Sequence, residues 1–229
     1  MILCCGEALI DMLPRTTTEG EAAFAPYAGG AVFNTSIALG RMGVAAGFFS
    51  GLSTDMMGTL LADTLTASHV DISHAARSGR PTTIALVKLS GGHATYAFYD
   101  ENTAGRMLST ADLPPPGVAD ALFFGGISLV NDPAASSYEA LQARESATRV
   151  TMIDPNFRQA FVDAQEALTP GTRAAYMARV DRMIARADIV KLSDEEVAKV
   201  YGASDQRAFA QDLLARGPRL VCVTEGGRG

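Results

Sequence analysis

The sequence predicts an α/β fold in which a mostly parallel sheet lies between layers of helices. Short apolar runs, each bounded by Gly, Pro, Asp or Ser, alternate along the chain with longer amphipathic segments such as GTRAAYMARVDRMIARA. This alternation is typical of repeated strand-helix-strand units, because parallel strands covered on both faces read as continuous apolar runs. Right-handed crossovers then place helices on both sides of the sheet. The predicted strands contain ILCC, AAGFFSGL, ALFFGG, VTMIDP, DIVKLS and RLVCVTEGG.

Two β-rich segments depart from this alternation. PTTIALVKLSGGHATYAFYDENTAG holds two alternating runs of β-branched and aromatic residues around Ser90, Gly91 and Gly92, which predicts a hairpin. The extended stretch MLPRTTTEGEAAFAPYAGG directly precedes a pair of glycines. We expect these segments, about residues 12–28 and 82–100, to form a small separate sheet that covers a binding site. The alternative is a surface hairpin without a function.

Composition and charge favour a protein that binds a small molecule. The chain has 229 residues with 48% hydrophobic and 19% charged residues, enough for one sizeable core. Its net charge of -6 provides no basic field, so neither nucleic acid nor a membrane surface is an expected partner. The first residues lack the features of a signal peptide, and no apolar run approaches the ~20 residues of a membrane span. We therefore expect a cytoplasmic protein.

The cysteines indicate neither a disulfide nor a metal site. Cys4, Cys5 and Cys222 include no C-x-x-C spacing and lie in apolar, strand-like runs. Cysteines in such runs are usually small buried hydrophobic residues.

The glycine pair predicts a binding site at a helix start. Gly29 and Gly30 precede the apolar pattern of a helix, where unpaired N–H groups and the absence of a side chain let a ligand approach the backbone. Asn34 offers both a donor and an acceptor, and Asp11 is expected at the carboxyl end of the first strand. These groups suit a polyhydroxylated ligand. The alternative is a turn at the glycines, with Asn34 as a helix cap and Asp11 as a solvated loop residue.

Two further motifs bear on phosphate chemistry. The chain contains neither G-x-x-x-x-G-K-[ST] nor G-x-G-x-x-G, so no phosphate loop of those types is predicted. The segment SDEE places Ser193 three residues before Glu196, which is the spacing of a capping box at a helix start.

These segments together resemble a known family. GEALIDM, AGGAVFNTSIALGRMG, GLSTDMMG, SHVD, DPNFR, KLSDEE and VTEGGRG occur in the order and spacing of the PfkB, or ribokinase-like, carbohydrate kinases. DENTAGRML is similar to the corresponding segment of bacterial fructokinases. The resemblance spans residues 1–229 and implies one kinase domain, a three-layer α/β/α body with a β-sheet lid. A sugar would bind between body and lid, and ATP in a neighbouring groove.

The resemblance also implies roles for individual residues. The sugar-side residues are Asp11, Gly29, Gly30, Asn34, Phe98 and Arg106. The nucleotide-side or phosphate-side residues are Asn156, Arg158, Lys191, Ser193, Thr224 and Gly226. Glu196 would help to organise Mg²⁺ through water, although the family has Asn where this chain has Ser193. DPN is also a good turn sequence, and Lys191 could instead pair with a carboxylate.

The catalytic base is not among these residues. Members of the family carry a GAGD segment, whose Asp takes the proton of the sugar hydroxyl, and no such segment occurs in the sequence. The resemblance therefore implies a base downstream of Gly229. The alternative is a catalytically inactive sugar-binding module.

The expected reaction is phosphorylation of fructose at its 6-hydroxyl by MgATP. The alternative is a 2-keto-3-deoxygluconate kinase, whose lid commonly has an arginine shortly after an aromatic pair. In this chain Phe98 and Tyr99 are followed by Asp100 and Glu101, which predicts repulsion of an acid sugar. A homodimer formed through the lid is a further expectation.

Overall fold

The computed structural model describes residues 1–90 and 93–228. The centre of the predicted hairpin, Gly91 and Gly92, lies outside the described residues. The strands are β1 (Ile2–Cys5), β2 (Leu9–Thr16), β3 (Ala22–Gly29), β4 (Ala46–Phe49), β5 (Gly51–Ser53), β6 (Val70–Asp71), β7 (Ala76–Ser78), β8 (Ile84–Ser90), β9 (His93–Tyr99), β10 (Ala121–Gly125), β11 (Val150–Asp154), β12 (Ile189–Ser193) and β13 (Leu220–Thr224). The α-helices are α1 (Ala31–Arg41), α2 (Met56–Ala67), α3 (Ala134–Glu145), α4 (Gln159–Leu168), α5 (Thr172–Arg186), α6 (Asp194–Lys199) and α7 (Gln206–Ala215).

The main sheet has seven strands in the order β13-β12-β11-β10-β1-β4-β6, and all of its pairings are parallel. Each of the six predicted runs supplies a strand to it. The run AAGFFSGL breaks at Ser50, so that its second half forms β5, which pairs with β7 outside the main sheet. The predicted parallel sheet is confirmed.

Helices cover both faces of this sheet. Leu3 and Cys5 point into one apolar cluster, which also contains buried residues of α3, α4 and α5. Cys4, which lies between them, points into a second cluster with residues of α1 and α2. Since successive side chains of a strand point to opposite faces, the continuous apolar run of β1 fills both cores. The three-layer α/β/α arrangement is confirmed.

The buried cysteines behave as the sequence predicts. Cys4 and Cys5 are fully buried free thiols, and burial raises the pKa of the Cys4 thiol to about 12. They therefore act as small apolar residues of the two cores. Cys222 is partly buried.

The two β-rich segments form a second sheet of four strands, in the order β3-β2-β8-β9. Strands β2 and β8 are parallel, and the two outer pairs are antiparallel. Phe98 of β9 packs edge-on against Phe161 of α4, with ring centroids 4.9 Å apart. This contact holds the end of the second sheet against the body. The first segment enters the sheet at Leu9, three residues earlier than predicted.

Within residues 1–90 and 93–228, no helix is long and apolar enough to cross a membrane.

Leucine packing on α2 provides a test of the core. We expect Leu65→Ala to lower the free energy of unfolding by about 2 to 5 kcal/mol, because Leu65 is fully buried and its deletion leaves a cavity. Leu60→Ala is the matched control on the same helix, since Leu60 is 37% exposed, and should cost less than about 1 kcal/mol. Urea denaturation of the two variants measures both values. Equal losses would contradict the assignment of the Leu65 face to the core.

Candidate active site

A cleft of about 550 Å³ lies between the second sheet and the carboxyl ends of β1, β10 and β11. It is lined by Glu7, Leu9, Asp11, Gly30, Ala31, Asn34, Tyr96, Phe98, Gly126, Ile127, Asn156, Phe157, Arg158, Gln159, Ala160 and Phe161. The cleft therefore collects residues from both of the predicted groups, sugar-side and phosphate-side. Its position agrees with the rule that ligands of parallel sheets bind at the carboxyl ends of the strands.

Asp11 lines the cleft from a different element than expected. The prediction that it ends the first strand is wrong, because β1 stops at Cys5 and Asp11 is the third residue of β2. Its carboxylate is half-buried. Burial raises the pKa of Asp11, and the positive charge of Arg158 opposes that rise.

The glycine pair is explained by the protein's own atoms. A side chain at Gly29 would overlap the carboxylate of Asp11. Gly30 has a φ of 118°, which other residues rarely adopt, and a Cβ there would lie 2.7 Å from the main-chain oxygen of Glu7. The missing side chains thus let β3 and α1 approach these two acidic residues closely, beside the cleft.

The remaining sugar-side residues divide into two groups. Asn34 and Phe98 line the cleft, Asn34 from the first turn of α1. The alternative that Asn34 caps this helix is wrong, because Gly30 occupies the N-cap position. Arg106 lies instead in a small adjoining cavity of about 20 Å³, together with Asp100. This cavity shares Glu7 and Ile127 with the cleft, so Arg106 lies beside the cleft and does not line it.

The two acidic residues behind the predicted repulsion of acid sugars, Asp100 and Glu101, differ in their surroundings. Asp100 accepts a hydrogen bond from the hydroxyl of Thr83 at 2.8 Å, and a second, longer one from Thr103. Glu101 is exposed, and neither acidic residue lines the cleft. Asp100 directly follows β9 and lines the small cavity beside the cleft, so repulsion of an acid sugar stays a prediction.

Asn156 and Arg158, the predicted phosphate-side residues, follow β11 and line the cleft. Asn156 has a φ of 44°, and its N–H donates to the carboxylate of Asp154 at 3.1 Å. The predicted turn at DPN is therefore present as well. This turn carries the side chain of Arg158 towards the carboxylate of Asp11.

Lys191 forms the ion pair that was the alternative to phosphate binding. Its amino group lies 3.0 Å from the carboxylate of Asp154. Burial raises the pKa of Asp154, and Lys191 lowers it. Ser193 and Thr224 are register partners at the ends of β12 and β13, and Gly226 follows with a φ of 58°. These residues lie along the same sheet edge as the cleft but do not line it.

Glu196 closes the start of α6. One carboxylate oxygen accepts from the N–H and hydroxyl of Ser193, at 2.8 and 2.7 Å, so the predicted capping box is confirmed. The other oxygen accepts from the N–H of Phe157 at 2.7 Å. The part of the chain that the structure describes contains no cluster of three His, Cys, Asp or Glu suited to a metal ion. The oxygen that accepts from Phe157 keeps a second acceptor site, which a water bound to a metal ion could use.

Glu7 is the site residue that sequence reasoning missed. It follows β1, is 8% exposed, and lines both the cleft and the small cavity. One of its oxygens accepts from the N–H of Ala31, the first residue of α1, at 2.7 Å. Burial raises the pKa of Glu7 to about 7. The available signal was a charged residue placed directly after a buried strand and a glycine.

Comparison with known proteins decides the family. The model of the pfkB family carbohydrate kinases matches residues 1–229. The chain belongs to the pfkB family of carbohydrate kinases. It is 54% identical over 230 residues to a fructokinase of Rhizobium leguminosarum bv. trifolii, covering 100% of this chain and 68% of that relative.

Solved structures of pfkB kinases have the same fold. A fructokinase of Xylella fastidiosa with bound ATP superposes with a TM-score of 0.84 at 29% identity, covering 99% of this chain and 72% of the other. A Vibrio cholerae fructokinase with fructose, ADP and a calcium ion gives a TM-score of 0.81 at 26% identity, covering 100% and 71%. The α/β/α body and second sheet of this chain are thus those of a sugar kinase.

The ion pair of Lys191 can be tested directly. Lys191→Met should lower the free energy of unfolding by about 1 to 3 kcal/mol, because it leaves the part-buried carboxylate of Asp154 without its cation. Adding Asp154→Asn should recover most of that loss. Lys199→Met is the control, since its pair with Glu195 is exposed and should contribute less than about 0.5 kcal/mol. Chemical denaturation measures the free energy of unfolding of the parent protein and of these three variants. A double variant no more stable than Lys191→Met would contradict the pairing.

Proposed function

We propose that this protein is an ATP-dependent fructokinase that transfers the γ-phosphoryl group of ATP to the 6-hydroxyl of fructose. The observation that carries the proposal is the cleft, in which Asp11 and Asn34 adjoin Asn156 and Arg158. Groups suited to sugar hydroxyls and groups suited to phosphate thus share one space. The 54% identity to a fructokinase supports fructose as the sugar.

The chemistry of these residues suits phosphoryl transfer. The reaction depends mainly on alignment of the acceptor and on neutralisation of phosphate charge. Asp11 can accept from two sugar hydroxyls, and Asn34 can both accept and donate. Arg158 has a planar fork of donors that fits phosphoryl oxygens, and its charge already acts on the carboxylate of Asp11. The sugar would therefore lie with its hydroxyls at Asp11 and Asn34 and with its phosphoryl acceptor towards Arg158.

The second sheet would act as the lid over the sugar. Tyr96 and Phe98 stack with ring centroids 6.0 Å apart, and both line the cleft. An aromatic wall at this position can pack on the apolar face of a sugar ring and exclude water. Exclusion of water favours the sugar over water as the phosphoryl acceptor.

The nucleotide is expected along the same sheet edge, beside Lys191, Ser193, Thr224 and Gly226. Mg²⁺ would neutralise charge on the polyphosphate, with Glu196 contacting it through water. The general base stays the Asp predicted downstream of Gly229. A homodimer through the lid also stays a prediction, and the exposed Phe24, Tyr27 and Tyr99 of the second sheet favour it.

A sugar panel tests the proposal. The full-length protein, with MgATP and a coupled assay for ADP, should give its highest kcat/KM with fructose and a lower value with 2-keto-3-deoxygluconate. This preference rests mainly on the cleft and on the relatives, because neither Asp100 nor Glu101 lines the cleft itself. A preference for the acid sugar would replace fructokinase by the alternative kinase, and inactivity on every sugar would favour a binding module.

Asp11 is the variant that separates sugar binding from nucleotide binding. Asp11→Ala should lower kcat/KM for fructose by about 2 to 4 kcal/mol of transition-state stabilisation, because charged hydrogen bonds to two hydroxyls are lost. The KM for ATP should change less than about twofold, since the ATP groove is formed by other residues. Asp63→Ala, on the exposed face of α2, is the control and should leave both constants unchanged. An unaltered kcat/KM for fructose in Asp11→Ala would refute the assignment.

A further inference from the structure

Two glycines from different elements pack against Glu7, Gly30 against its main chain and Gly126 against its carboxyl group. Gly30 precedes α1, and Gly126 follows β10. Both have positive φ values, 118° and 73°. A Cβ at Gly126 would overlap the Glu7 carboxylate, and one at Gly30 would lie 2.7 Å from the Glu7 main-chain oxygen. Each turn is therefore shaped by the close approach of Glu7.

Backbone N–H groups from both sides surround this carboxylate. The N–H of Ala31 donates to one oxygen at 2.7 Å. The N–H groups of Val32 and Ser128 also favour its ionised form. Ala31 and Val32 begin α1, and Ser128 lies in the helical turn after Gly126, so the carboxylate lies where two sets of free N–H groups meet.

This carboxylate is costly to the fold. It is 8% exposed, and among the described residues its second oxygen has no partner with full hydrogen-bond geometry. A buried charge with an unmet acceptor lowers stability unless its remaining interactions compensate. Groups with such perturbed ionisation that lie in clefts are candidates for function.

We propose that Glu7 is a positioning residue for the sugar site, whose carboxylate fixes the turns at Gly30 and Gly126 in the geometry that presents Asn34 and Ile127 to the sugar. This inference rests on the proposed kinase function. Glu7 acts through the two turns and not by contact with the sugar. The nucleotide-side residues, which follow β11, β12 and β13, do not depend on it.

The test is Glu7→Gln in the full-length protein. The amide keeps the size of the side chain but directs an NH₂ group or a neutral oxygen at the N–H donors. We expect the KM for fructose to rise on the order of 10-fold and the KM for ATP to change less than about twofold. Glu145→Gln is the matched control, because Glu145 is 5% exposed and accepts from the N–H of Gly117, yet lines no part of the cleft. It should leave the KM for fructose unchanged.

The pH dependence of kcat/KM for fructose distinguishes a positioning role of Glu7 from a purely structural one. The titratable and charged groups facing Glu7 are Asp11, Asp100, Arg106, Tyr138, Arg158 and Tyr176. Protonation of Glu7 removes the charge that holds the two turns, so kcat/KM for fructose should fall as the pH is lowered through about 7. In Glu7→Gln this fall in kcat/KM should be absent, and any pH dependence that arises from the other groups should remain.

Amide hydrogen exchange makes the inference testable without activity. In Glu7→Gln the N–H groups of Ala31, Val32 and Ser128 should exchange faster than in the parent protein, and in Glu145→Gln they should not. If Glu7→Gln does not fold, the parent protein should still lose kcat/KM for fructose, but not for ATP, as the pH is lowered through about 7. Unchanged exchange, or equal rises in the KM values for fructose and ATP, would overturn the role of Glu7. A parent protein inactive on every sugar, with the exchange result as expected, would refute the kinase function alone.

Discussion

The parallel register of β1, β10 and β11 is the constraint from which the site follows. Because these strands are neighbours and run in one direction, the segments that follow them emerge at the same edge of the sheet. Glu7 follows β1, Gly126 follows β10 and Asn156 follows β11, although these residues are far apart in the sequence. Antiparallel pairing of any of these strands would send its loop to the opposite edge. The cleft therefore depends on backbone pairing before it depends on any side chain.

The second sheet adds what a parallel sheet alone does not offer, a wall above the strand ends. Strand β2 leaves the main body directly after Glu7, so one short segment supplies Glu7 to the floor of the cleft and Asp11 to its side. The glycine at position 29 lets β3 pass against the Asp11 carboxylate, and Gly30 then turns the chain into α1. The segment GEALIDM and the glycine pair therefore pack against each other and together form this part of the cleft.

The strands were predictable from the sequence, whereas side-chain direction at their ends was not. In an α/β protein a short continuous apolar run is typical of a strand buried on both faces, so the sequence alone locates β1, β10, β11, β12 and β13. Arg106 is predicted on the sugar side, but it lies with Asp100 in the adjoining small cavity. DENTAGRM forms the turns after β9 and not a strand, so no side-chain periodicity in it fixes the direction of these side chains. Glu7 was missed because composition rules place glutamate at the surface, and only the structure shows the N–H groups that surround it.

Two acidic residues in one cleft set a conflict between stability and binding. Burial raises the pKa values of both Asp11 and Glu7, that of Glu7 to about 7. A carboxyl group with a raised pKa holds its proton more tightly in the folded protein than in the unfolded chain. The contribution of Glu7 to stability is therefore greatest below its ordinary pKa and falls as the pH rises to about 7. Positioning by Glu7, in contrast, needs the ionised form. Near and above pH 7, the ionised carboxylate of Glu7 thus orders the two glycine turns and also lowers the stability of the fold. A charge that costs stability is expected of a functional carboxylate and not of a structural one.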